Sequence, residues 1–408
     1  MSAYQNEMTK QIPNTLPLKE KFDLPEGMIY LNGNSLGPLP KCVNARVSRM
    51  VTEEWGEHLI KGWNVDDWMG QPSHVGDSVA KLIGAPAGSV VMGDTLSIKV
   101  YQALAAALQM RPDRKVILSD SGNFPTDLYM AEGLIKHLDQ GHELRIVEPE
   151  EVMDAISEET AAVLLTEADY RTGRLHQMSE VTEKAHQKGA VMIWDLAHSA
   201  GALPIDLTGS NCEFAIGCTY KYLNGGPGAP AFIYVRPDLS NDIAPVLSGW
   251  LGHRAPFEFD LDYRPADAIE RMRVGTPPVL QMTALEAALS VWDGIDMQDI
   301  RDASIALSGL FIEEVERRCP DLTLISPRDP QNRGSHVSFS FEHGYAAMQA
   351  LISKDVIGDF RAPDVMRFGF TPLFLDRADI IRAVDVLQGI LDSKEWNKPE
   401  FQTKSRVT

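Results

Sequence analysis

Val191-Met192-Ile193-Trp194-Asp195-Leu196-Ala197-His198-Ser199-Ala200-Gly201 joins four apolar residues to an acid and a turn of small residues. An unbroken apolar run of this length reads as a strand buried on both faces, and a carboxylate at its end reaches the crevice at the carboxyl edge of a parallel sheet. A second apolar run leads into Cys218-Thr219-Tyr220-Lys221-Tyr222-Leu223-Asn224-Gly225-Gly226-Pro227-Gly228, which places Lys221 twenty-six residues after Asp195. Lys221 therefore follows another strand and precedes a glycine cluster of little bulk. Alone, an Asp at a strand end is more often a cap, and a Lys before glycines is more often solvated or phosphate-binding. Their conjunction matters because a buried lysine is costly unless it is paired or converted to an imine.

Outward from this pair, residues 90 to 235 alternate short aliphatic runs with amphipathic stretches of helical length, the pattern of βα units around a mostly parallel sheet. Strands are predicted at Lys115 to Ser119, Leu144 to Val147, Ala161 to Leu165, Val191 to Asp195, Phe214 to Cys218 and Ala231 to Val235. Helices are predicted to begin near Leu96, Pro125, Glu151 and Ser179, each at a residue able to satisfy or omit the free amides of a first turn. Residues 1–44 are Pro-rich and read as an arm. After a turn-rich section from Pro245 to Pro278, a long helix from Val279 to about Asp293 leads to a further helix, Ala303 to Arg318, and strands near Leu322 to Ile325 and His336 to Phe341. The expected architecture is α/β: a large domain (45–285) with a mostly parallel sheet flanked by helices, a smaller α+β C-terminal domain (286–408), and the arm packing with the latter.

Composition narrows the function. The 408 residues carry 38 Lys+Arg against 57 Asp+Glu, a net charge of −19. Such a surface repels phosphate backbones and anionic lipid, which argues against nucleic-acid or membrane binding as the main task. Cys42, Cys212, Cys218 and Cys319 form no CxxC pair, fitting neither a zinc site nor a disulfide framework. No basic start with an apolar core marks a secretory signal, and no apolar stretch approaches the roughly 18 residues of a membrane span. A cytoplasmic protein is expected. His336 and His343 lack a third ligand, so no metal is expected, and the methionines read as core filling.

A Schiff-base amine and an anion that keeps a pyridine nitrogen protonated are the protein groups that pyridoxal phosphate requires, and Lys221 and Asp195 offer both. The chain resembles the fold-type I pyridoxal-phosphate enzymes of the aminotransferase class V group, and within them the kynureninase family. The likeness runs over most of its length, through GNSLGPLP (33–40), DLAHSAG (195–201), CTYKYLNGG (218–226), GWLGH (249–253) and the Thr276-Pro277-Pro278 stretch. It implies hydrolysis of L-kynurenine, or its 3-hydroxy derivative, to anthranilate or 3-hydroxyanthranilate and L-alanine in tryptophan catabolism. It leaves the preference between the two open.

For single residues the resemblance implies that Lys221 carries the cofactor and shuttles protons, that Asp195 pairs with the pyridinium and that His198 contacts the phenolic oxygen. Leu96 and Ser97, at a helix start, would hold the phosphate, although alone they describe an ordinary capped helix. Phe124, Pro125, Thr126 and Asp127 match the family's F-P-[ST]-D stretch; Phe124 can stack on the ring, and Asp127 caps the helix or touches the site. Tyr220 would reach the phosphate, pass protons or stabilise oxygen charge on the substrate. Trp250 and Thr276 match two further cofactor contacts expected to cross the interface of a homodimer with shared active sites. Arg367 matches the arginine for the α-carboxylate of an amino-acid substrate, since a planar fork makes two parallel hydrogen bonds. Asn34, Ser35 and His58 could approach the substrate's aromatic ring. A cysteine desulfurase or transaminase would share Asp195 and Lys221, but the former needs a mobile cysteine, a role Cys319 beside Pro320 suits poorly. A non-catalytic pyridoxal-phosphate-binding regulator would normally bring a DNA-binding segment and positive charge, both missing from the sequence.

Overall fold

The computed structural model describes residues 16–403, so the first fifteen residues of the expected arm lie outside the described residues. In chain order the elements are β1 (Ile29–Tyr30), α1 (Lys41–Arg49), α2 (Gln71–Leu82), β2 (Val90–Met92), α3 (Leu96–Met110), β3 (Val116–Asp120), α4 (Pro125–Leu138), β4 (Glu143–Val147) and β5 (Thr160–Thr166). There follow α5 (Met178–Gln187), β6 (Val191–Asp195), β7 (Phe214–Gly217), β8 (Phe232–Val235), α6 (Val279–Leu289), α7 (Met297–Arg318), β9 (Thr323–Leu324) and β10 (His336–Ser340). The chain closes with α8 (Gly344–Ile352), β11 (Val356–Ile357), β12 (Asp359–Arg361), β13 (Val365–Gly369) and α9 (Arg377–Asp392).

Seven strands form one sheet in the order β2-β8-β7-β6-β5-β3-β4, and only β8 runs against its neighbours. Every residue of β6 is buried, and its side chains divide between two apolar layers by the two-residue period of a strand. Val191 and Ile193 pack with Val100 and Leu104 of α3, whereas Met192 and Trp194 pack with Val181 and Ala185 of α5. Covering both faces is what makes the strand read as a continuous apolar run. The buried Trp194 indole donates to Thr182 Oγ1 at 3.0 Å, so its one polar atom is satisfied.

The sequence reading and the structure differ where elements are short or polar. Strand β2, only three residues long, escaped prediction, and the helix expected near Glu151 is the single turn Val152–Ala155. Helix α7 begins six residues before Ala303, because Asp296 caps it by accepting from Gln298 N at 2.8 Å.

A second, antiparallel sheet has the order β12-β13-β10-β9. The N-terminal segment lies between the two sheets. β1 pairs in parallel with β11, Gly369 N donates to Leu31 O at 2.7 Å, and Gly37 N donates to Tyr220 O at 2.8 Å. A Cβ at residue 37 would collide with the Lys221 carbonyl, so glycine is what lets this segment lie so close to the lysine loop.

Candidate active site at the carboxyl edge of the large sheet

Asp195 ends β6 and Lys221 stands four residues beyond β7, the strand paired with it. Asp195 Oδ1 accepts from Ala197 N at 2.7 Å, which fixes the carboxylate at the strand end. Lys221 Nζ lies 3.3 Å from His198 Nε2 and 5.9 Å from the centre of the Phe124 ring. Phe124 in turn meets Tyr170 edge to face at 5.2 Å.

Asp127 is 1% exposed and Asp195 2%, and the two buried carboxyls lie close enough to shift each other's proton affinity. Burial and then the neighbouring Asp195 hold Asp127 well above the usual carboxylate range. Burial also raises Asp195, with Lys221 pulling the other way. Two buried carboxyls in contact cannot both ionise readily, so one proton is held between them. Asp127 leaves Oδ2 without a partner and does not cap α4, whose cap makes no side-chain hydrogen bond. The pair therefore keeps one buried acceptor oxygen without a partner.

His198 is held far below its ordinary value by burial and by Lys221, and so stays neutral. Tyr220 is pushed up by the adjacent Cys218 and by burial, which keeps its phenol protonated and able to donate.

The cavity above Lys221 measures about 410 Å³, and His198, Phe124 and Tyr220 share its lining. Its other end is made of charge. Arg367, 1% exposed, donates from Nε to Asp359 Oδ1 at 2.8 Å and from Nη2 to Asp359 Oδ2 at 2.5 Å. It also donates to the Tyr170 carbonyl and, at 2.9 Å, to Ser35 Oγ. The Asn34 amide oxygen, oriented by its surroundings, accepts from Arg367 Nε at 2.9 Å. Arg361 reaches Asp359 Oδ2 at 2.9 Å and Ser35 Oγ at 3.2 Å.

The structure thus gathers Lys221, Tyr220, His198, Phe124, Asn34, Ser35 and Arg367 around one cavity, with Asp195 and Asp127 buried beside Lys221. Leu96 and Ser97 open α3, and Pro125 and Thr126 open α4, at the same sheet edge but outside the cavity lining. Three expected residues lie elsewhere in the single chain. Trp250 lines a separate cavity with Phe259 and Tyr263, Thr276 is exposed, and His58 pairs with Asp66 at 2.8 Å. Tyr170, Asp359 and Arg361 were not foreseen. The signal for the last two is the alternation Asp359-Phe360-Arg361, which puts both charges on one face of a strand.

The architecture is shared with solved pyridoxal-phosphate enzymes. A C-DES variant with glycine covalently linked to its cofactor superposes with a TM-score of 0.78 at 17% identity, covering 91% of this chain and 99% of that one. The apo cysteine desulfurase of Thermococcus onnurineus gives 0.78 at 17% identity, covering 94% and 99%. The protein therefore has the fold of the fold-type I pyridoxal-phosphate enzymes. The model of the kynureninase C-terminal domain matches residues 300–387. Kynureninases of Burkholderia pseudomallei and Pseudomonas fluorescens are each 48% identical over 399 residues, spanning 96% of this chain and 96% of theirs. The chain belongs to the kynureninase family.

Proposed function

We propose that the cavity beside Lys221 binds pyridoxal phosphate and hydrolyses L-kynurenine to anthranilate and L-alanine. The observation that carries this reading is the convergence of an amine, a neutral imidazole and a proton-sharing carboxyl pair at one end of a cavity that has guanidiniums at the other. When bound, pyridoxal phosphate supplies an aldehyde carbon and a ring that accepts an electron pair. Asp195, backed by Asp127, holds the proton at the ring nitrogen. Phe124 covers a ring face and excludes water, and His198 donates to the phenolic oxygen. The first turn of α3 with Leu96 and Ser97, the start of α4 with Pro125 and Thr126, and Tyr220 receive the phosphate.

Lys221 moves the proton from the substrate's α-carbon. Tyr220, kept protonated, also donates to the side-chain ketone oxygen as water adds there and the Cβ–Cγ bond breaks. Arg367 orients the α-carboxylate, and Ser35 and Asn34 border the substrate.

The same reading extends to organisation. Among the described residues, 16–44 form the arm, 45–285 the cofactor domain and 286–403 the small domain. Trp250, Thr276 and His58, which stay out of the lining of the Lys221 cavity in one chain, belong to the site of a second copy in a homodimer. Four unpaired cysteines favour a reducing, cytoplasmic setting. The test is incubation of holoenzyme with L-kynurenine, its 3-hydroxy derivative and L-cysteine. Anthranilate and alanine in equal amounts are expected from the first; absence of anthranilate, or sulfide from cysteine in its place, would reject the reading. Cys319, 1% exposed with its thiol pushed up to about 11 by burial, is poorly suited to sulfur transfer.

A further inference from the structure

Two guanidiniums and one carboxylate meet at the far end of the cavity. Arg367 is buried and its fork is taken: Nε and Nη2 lie on the two oxygens of Asp359, and Nη1 lies on the Tyr170 carbonyl. That ion pair is neutral as a whole, so Arg367 brings an entering anion orientation and hydrogen bonding more than net charge. Arg361 differs: it lines the cavity with a side chain 34% exposed, and beyond neutral contacts to Ser35 Oγ and the Phe360 carbonyl it has only a share of Asp359 Oδ2 as counter-charge. Asp359 is the only carboxylate among the described residues lining this cavity, and it faces both Arg361 and Arg367, so this end of the wall carries one positive charge in excess.

The placement follows from the hairpin. Asp359 stands opposite Arg367 across the β12–β13 pair, and Arg361, two residues on, shares the face of Asp359. Burial, followed by repulsion from Arg367, weakens the hold of Arg361 on its proton, as expected of a cation short of a counter-ion.

We propose that Arg361 is the specificity residue that holds the α-carboxylate of the amino-acid substrate together with Arg367, the ligand supplying the second anion of a cluster in which Asp359 positions both forks. The inference rests on the kynurenine reading above and adds a residue and a charge rule to it. It makes Arg361 the discriminator between an amino acid and the corresponding amine.

The experiment compares the holoenzyme with its Arg361→Gln and Arg361→Lys variants. For Arg361→Gln, KM for L-kynurenine is expected to rise about 10- to 100-fold, the value of a charge-assisted contact, with kcat within about threefold. Calorimetric affinity for the unreactive 4-oxo-4-phenylbutanoate should weaken by the same factor. Affinity for decarboxylated kynurenine, which lacks the anion, should not change. Unchanged KM and carboxylate affinity, or equal weakening of the amine, would overturn the proposal. Arg361→Lys keeps the charge without the fork and should recover part of the loss; a lysine variant no better than glutamine would reject the charge rule. If the parent enzyme releases no anthranilate, the kynurenine reading fails, while the calorimetric comparison still decides the role of Arg361.

Discussion

The Lys221 end of the cavity rests on neighbouring strands of one sheet, whereas the Arg367 end is assembled from segments as far apart as Ser35 and Arg367, 332 residues distant in sequence. The first end is backed by two carboxyls buried beside Lys221, outside the cavity lining, and is completed by a cation. The second is rich in guanidiniums and is completed by an anion. A substrate that is an amine at one point and a carboxylate at the next is aligned by that opposition. The contrast also separates tasks: groups that move protons stand at the ends of buried central strands or in the loop just beyond them, and groups that recognise the ligand depend on how the arm and the small sheet pack together.

The sharpest test of the sheet end is Lys221→Ala. Turnover should fall by about 10⁴-fold or more, with loss of the cofactor's visible absorption when it is added to the protein. Persisting absorption with borohydride labelling at another lysine would break the contrast, and the buried Lys99, already bonded to Asp94 and Gln102, is the control. Asp195→Ala is expected to lower turnover about 10²- to 10³-fold and to weaken cofactor binding, both read by titration; near-normal values would remove the carboxylate from the chemistry.

At the recognition end, Arg367→Ala should raise KM about 100-fold and cost about 3 kcal/mol of stability by leaving Asp359 with less compensation. Arg367→Ala with Asp359→Ala should recover much of the melting temperature but not KM. Recovery of both would show the pair to be purely structural.

The smallest effect belongs to Asp127→Asn, expected to change kcat by no more than about fivefold because an amide still donates to Asp195. Its signature is the pH dependence of cofactor-free stability. Asp127 has a raised value in the folded chain, so its contribution is complete below the ordinary carboxylate range and is lost as pH rises through the raised value. The variant should flatten that decline in thermal unfolding between acid and neutral pH. A decline of equal slope in both proteins would reject the proton-sharing pair.

Much of the sheet end was legible because burial on both faces leaves a mark on composition. Strand β6 was read to the residue, and the Asp195 and Lys221 positions follow from strand ends alone. The hairpin β12–β13 was not read, since Asp359, Arg361 and Arg367 are charged residues that look solvated in sequence. Asp359 and Arg367 are tolerated in the interior because they neutralise each other across the hairpin, a pairing that periodicity along one strand does not reveal, while Arg361 stays partly exposed. Asp127 was readable as a helix-start residue, but its contact with Asp195 depends on β3 and β6 lying in one sheet with β5 between them.

Short-range patterns thus determined the α/β class, the positions of most core strands along the chain, and the acid and amine that follow two of them, because apolar periodicity and strand termini are local properties of the chain. Tertiary structure alone decided that Asp127 meets Asp195, that Asp359 binds Arg367 and leaves Arg361 short of an anion, and that Trp250, Thr276 and His58 stand apart from Lys221. Those are matters of which charges are brought together away from water, and the cost or gain of a buried charge depends on neighbours supplied by distant segments.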